Sequence, residues 1–167
     1  MVDAEQEREQ RADQLKERVY VTFTALAVVL ALRSELADHA TVGGAAGTLA
    51  VAVVATLLAV LVADVVAHIT VHEALPTRGE LAAMLRVVVG ALGVLVLPMV
   101  FLGLAALGRW TLDGALRASA IALVVTLAAV GYLAVRRLRL PIVQRLIVLL
   151  AEFLLGLAVI GLELLAH

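Results

Sequence analysis

From Thr48 to Val71 the chain is an unbroken apolar run with a single charged side chain, Asp64, and one histidine, His68. A helix over that run rises about 36 Å, enough to cross the roughly 30 Å apolar core of a bilayer, and it is too greasy for water. The rest of the chain repeats the pattern. Spans are expected over about residues 18–38, 47–73, 81–107, 117–135 and 142–167, joined by short connections. Hydrophobic residues make up 63% of the chain and mean hydropathy is +1.08, against roughly 45–50% apolar usage in soluble domains. A water-soluble fold is excluded. Aromatics are only 4%, so the apolar mass is Ala, Val and Leu, which packs as helices through small residues and not as a β-barrel with aromatic girdles. The expected fold is all-α, a polytopic transmembrane helical bundle of five spans, with residues 19–167 as one domain.

Residues 1–18 (MVDAEQEREQRADQLKER) carry ten charged side chains and almost no large apolar one. They are expected to extend the first helix into the cytoplasm as a solvated arm, helped by Glu7 with Arg11 and Asp13 with Lys16 at helical spacing. Such an arm also offers a docking surface to a protein partner. A cleaved signal peptide is not expected, because the segment is at least as acidic as it is basic and no clean small-residue cleavage site follows. Basic residues divide unevenly between the two ends of the spans. Arg8, Arg11, Lys16, Arg18, Arg78, Arg86, Arg136, Arg137, Arg139 and Arg145 fall at one end; Arg33, Arg109 and Arg117 fall at the other. That excess puts the N-terminus in the cytoplasm and the C-terminus outside. Net formal charge is −1, so no broad basic surface exists for nucleic acid. The absence of cysteine removes disulfides, thiolate metal sites and thiol redox chemistry.

The connections are marked by turn residues. Gly43-Gly44-Ala45-Ala46-Gly47 is the expected first turn, Pro76 and Thr77-Arg78-Gly79-Glu80 end the second span, and residues 108–114 make the third loop with Trp110 at the interface. Arg136 to Pro141 separates the fourth span from the fifth. Pro98 lies inside the third span and should kink it by removing a backbone donor.

Titratable groups at membrane depth are expensive and therefore mark candidate sites. On the second span Asp64, His68 and His72 are four residues apart, each about 40° further round the axis, so they share one side. A separate stripe, Ala52, Ala55, Ala59, Ala63, Ala67, Thr70 and Ala74, suits close packing against a neighbouring helix. On the fifth span Arg145, Glu152 and Glu163 are separated by near-whole numbers of helical turns and point one way. Asp64 and Glu152 are expected at similar depth, with Arg86 and Arg145 as counter-charges and Arg33 with Glu163 as an outer polar pair.

Three functions fit this cluster. Buried acid, histidine and arginine groups can lock the helices of a non-catalytic subunit or scaffold. Asp64, His68 and Glu152 can form a path for protons or cations, since histidine titrates near neutrality. His68 and His72, with Asp64 adding an oxygen ligand, can hold an intramembrane metal ion. Haem is disfavoured, because no histidine on another span lies at matching depth. Enzyme chemistry is not expected: H-E-x-x-H, G-x-S-x-G and a phosphate-gripping loop are all missing. No cofactor is expected beyond that candidate metal ion.

Arg18-Val19-Tyr20, the Ala67-His68 pair and the ending from Gly156 to His167 (GLAVIGLELLAH) resemble a family of small uncharacterised integral membrane proteins from actinobacteria. The resemblance implies a bacterial plasma membrane and no particular activity. Small cation-channel families with polar first spans carry a Phe-Ser-Asp signature, which Thr22-Phe23-Thr24 does not reproduce. Five short helices enclose little volume, so a conduit is expected to use an interface between copies in a homo-oligomer, with the alanine stripe and the Gly156 and Gly161 region in contact.

Overall fold

The computed structural model describes residues 2–34, 41–136 and 150. The described chain is helical: α1 (Val2–Ser34), α2 (Val42–His72), α3 (Arg78–Ala91), a 3-10 segment (Leu92–Leu95), α4 (Val96–Ala106) and α5 (Leu112–Arg136). Three rods are long and apolar enough to cross a membrane: Val42–His72, the rod Arg78–Ala106 that includes the 3-10 segment, and Leu112–Leu133. Apart from Leu150, the expected fifth span, residues 142–167, lies outside the described residues.

The helix α1 is the exception among the four rods. Its uncharged stretch runs only from Val19 to Leu32, about 21 Å of rise, short of a bilayer core. Burial compensates. Val21, Thr22, Ala25 and Val29 are fully buried, and α1 lies against α2, α3 and α5, while α4 packs on α5 and α2. The least apolar rod is thus the central one, shielded from lipid by its neighbours. Its buried hydroxyl is satisfied locally, Thr22 Oγ1 donating to the Arg18 carbonyl at 2.6 Å. Ser119 on α5 does the same to Ala115 at 2.8 Å. A polar group inside the bundle has no water to turn to, so the carbonyl four residues back is its natural acceptor.

Threonines set the helix starts, and this corrects the expected first turn. Thr41 Oγ1 accepts from the Gly44 amide at 3.1 Å, so α2 begins at Val42 and residues 43–47 are its opening turns, with Ala45 buried. A hydroxyl that satisfies an orphan amide outweighs the low helix propensity of the glycines. Thr111 caps α5 in the same way, through the Gly114 amide at 3.1 Å. At the other end of α2, Glu73 closes the helix in the left-handed region at φ 51°. Gly108, at φ 69°, follows α4 where its lack of a Cβ makes that conformation cheap.

Pro98 falls within the first turn of α4, and the carbonyl four residues before it, that of Val94, belongs to the 3-10 segment Leu92–Leu95. The donor that proline lacks is the one that would continue the α-helical pattern through that segment.

The alanine stripe of α2 does not pack inside the chain. Ala45, Leu49, Val53 and Leu57 are its buried residues, whereas Ala55, Ala59, Ala63 and Ala67 are exposed. Those alanines share the outer surface of α2 with Val51, Leu58 and Val62.

Candidate functional site

A cavity of about 490 Å³ opens where α1, α2 and α3 meet, lined by Lys16, Asp64, His68, His72, Glu80 and Arg86 among Ala, Val and Met side chains. Local chemistry builds it. The connection between α2 and α3 is short because αL closure at Glu73 ends one helix and a capping box starts the next. Glu80 Oε2 accepts from the Thr77 amide and the Thr77 hydroxyl, both at 2.7 Å, while Thr77 Oγ1 accepts from the Glu80 amide at 3.4 Å. That reciprocal pair satisfies two orphan donors. It also aims the Glu80 carboxylate back at α2.

His68 Nε2 lies 3.7 Å from Glu80 Oε2, an ion pair whenever the imidazole is protonated. The His68 side chain is 12% exposed and that of Glu80 48%, so the pair joins a shielded group to a wet one. His68 and His72 stack in a tilted arrangement with centroids 4.5 Å apart and planes at 42°. Asp64 is one turn deeper than His68 and half-buried.

The structure therefore brings Asp64, His68, His72 and Arg86 to one cavity. Glu152, Arg145 and Glu163 lie outside the described residues. Arg33 is at the opposite end of the bundle, with its Nε 3.6 Å from Asp113 Oδ1. Asp113 is thus a polar partner for Arg33 that inspection of the spans overlooked; its Oδ2 also accepts from Arg117 Nε at 2.7 Å.

Lys16 and Glu80 were missed as site residues. The Thr77-x-x-Glu80 signature is readable as a helix start, and a helix start this soon after His72 returns its carboxylate toward His68. Lys16 carries no comparable signal, since only tertiary packing carries the middle of α1 to the cavity between α2 and α3. Among the described residues no group of three His, Asp or Glu side chains converges as a metal site.

Removing the cap tests this architecture. Thr77→Ala should cost about 1 kcal/mol of stability, seen as a lower Tm in detergent, and an unchanged Tm would show that Glu80 is not held by the box.

Compared with known proteins, the chain matches no family model, no curated protein and no solved structure.

Proposed function

We propose that this is a small proton-transporting protein of a bacterial plasma membrane, with five spans, a cytoplasmic N-terminus and an external C-terminus. One observation carries the proposal: Asp64, His68, His72 and Glu80 line a single open cavity, with the carboxylate–imidazole contact running from a wet group to a shielded one. Proton-exchanging side chains placed in series from water inward are what a proton needs to enter a bundle. A hydrated cation or a bound metal is served less well, because the cationic side chains of Lys16 and Arg86 line the same cavity and repel it. Glu152 on the fifth span extends the path if that span approaches α2.

Orientation follows the cations. Lys16, Arg78 and Arg86 cluster around the cavity end, and Arg33, Arg109 and Arg117 mark the other, so the cavity faces the cytoplasm. In intact cells a cysteine at Arg109 should react with an impermeant thiol reagent, and one at Arg78 should not. Labelling with the reverse pattern would overturn the topology.

The function itself is tested by proton flux into proteoliposomes across about pH 5 to 8, the range in which imidazoles titrate. Flux that depends on pH across this range is expected. No flux at any pH, from chain that is folded and correctly inserted, would rule the proposal out in favour of a scaffold whose buried polar groups specify helix assembly. The exposed alanine stripe of α2 is the proposed contact between copies in a homo-oligomer, since its small residues allow close backbone approach. A protein partner is proposed for the charged arm of α1.

A further inference from the structure

The cavity where α1, α2 and α3 meet is larger than a proton needs. Its volume of about 490 Å³ falls within the roughly 300–1,000 Å³ of pockets that hold small molecules, and its walls are of two kinds. Val71, Met84 and Val87 offer apolar surface, while Lys16 and Arg86 bring positive charge. The Glu80 carboxylate is held by Thr77 and faces His68, and Lys16 Nζ lies 3.8 Å from Glu17 Oε1. Arg86, by contrast, makes no hydrogen bond or ion pair among the described residues. We propose that the cavity binds a short-chain organic monocarboxylate, with its carboxylate on Arg86, and that the anion enters together with a proton. The proposal names a second cargo for the proton path described above; it rests on that reading for transport but not for binding.

Depth supplies the reason for the coupling. Arg86 stands eight residues beyond Arg78, the first of α3, and Asp64 eight before His72, the last of α2, so each is about 12 Å from the α2–α3 connection by helix rise. The two line one cavity from neighbouring helices at the same height. An anion held by Arg86 therefore comes beside the Asp64 carboxylate. Like charges brought together away from bulk water repel strongly, and one proton shared between two carboxylates removes that repulsion. The fixed charges agree in sign. Lys16 and Arg86 set against Asp64, Glu80 and Glu17 leave one net negative charge while both His68 and His72 are neutral. A bare anion would add to it, whereas an anion with a proton leaves it unchanged. The planar guanidinium fork of Arg86 can grip both oxygens of a carboxylate. The apolar wall then favours an organic body over an inorganic anion, because a short hydrocarbon chain leaves water against Val71, Met84 and Val87.

Hexanoate is the probe. Nanodiscs carrying the natural chain, dialysed against radiolabelled hexanoate and corrected for empty nanodiscs, should bind it saturably, and hexanol, which has the same chain length without the charge, should compete at least about tenfold less well. Affinity should rise toward tenfold between about pH 7.5 and about pH 6.5, the limit for one proton taken up with one anion. Hexanoate added to lightly buffered discs should accordingly draw protons from solution. Arg86→Gln should weaken binding about tenfold, the loss of about 1.4 kcal/mol, and Asp64→Asn should keep the anion bound while flattening the pH dependence. No saturable binding to the natural chain would overturn the proposal, as would equal competition by hexanol or binding without proton uptake. Phosphatidylglycerol retained by the natural chain and lost in Arg86→Gln would overturn it in favour of a lipid headgroup. Proton flux measured without hexanoate judges the proton path separately: flux with no hexanoate binding removes the anion alone, and hexanoate binding with no flux removes transport and leaves the site.

Discussion

Asp64→Asn should reduce proton flux in proteoliposomes by about a hundredfold, the lower end of what positioned acid–base groups supply to proton transfer. Asparagine matches the volume of aspartate and keeps its capacity to hydrogen-bond, but it has no exchangeable carboxyl proton. The loss is largest here because Asp64 lies about 12 Å from the end of α2 by helix rise, deeper than the other acid of the cavity. His68→Ala should cost about tenfold, since water entering the open cavity partly replaces the imidazole. Glu80→Gln should cost least, because its side chain is 48% exposed and solvent delivers protons to the same place. Flux measured with an entrapped pH dye, together with the elution profile of each variant in detergent, reads this order directly. Asp64→Asn flux equal to that of the natural chain would eliminate the relay. Disassembly of the variant, with no flux from the natural chain, would assign Asp64 to helix packing.

Ala115→Leu is expected to destabilise the bundle by about 1–3 kcal/mol through overpacking. Ala115, Leu116 and Ser119 are fully buried on α5, and Ala25 and Val29 are fully buried on α1, in the most extensive helix contact among the described residues. Three added carbon atoms have nowhere to go unless the two helices separate. A clear drop in the Tm of the detergent-solubilised chain should follow, and an unchanged Tm would show that α1 and α5 are not in contact at this point. The matching change on α2, Ala59→Leu, falls on an exposed surface and should alter monomer stability by less than about 0.5 kcal/mol. If the alanine stripe joins copies, Ala59→Leu should nevertheless shift the mass measured in nanodiscs toward the monomer. A mass unaffected by Ala59→Leu, or one that is monomeric from the outset, would remove the stripe as an interface.

Much of this protein follows from local chemistry, and that part was legible residue by residue. Long apolar runs must become helices in a bilayer because no other backbone form satisfies its own hydrogen bonds within one short segment there, and so α2, the α3–α4 rod and α5 could be placed from sequence. The four-residue spacing of Asp64, His68 and His72 puts them on one side of any helix, whatever surrounds it. Threonine caps are equally local, yet Thr41 outcompeted the glycines that followed it, a contest between a hydroxyl acceptor and propensity that composition alone did not decide. Tertiary structure decided what depends on neighbours. Whether α1 lies at the rim or the centre turns on which helices cover it, and its short apolar stretch is tolerable only because α2, α3 and α5 do so. The same packing carried Lys16 to the cavity, brought Arg33 to Asp113, and turned the alanine stripe outward while Leu49, Val53 and Leu57 filled the core. Helical periodicity assigns a residue to a face, but which face meets protein is set by the summed contacts of all the helices at once, and no single stretch of sequence holds that sum.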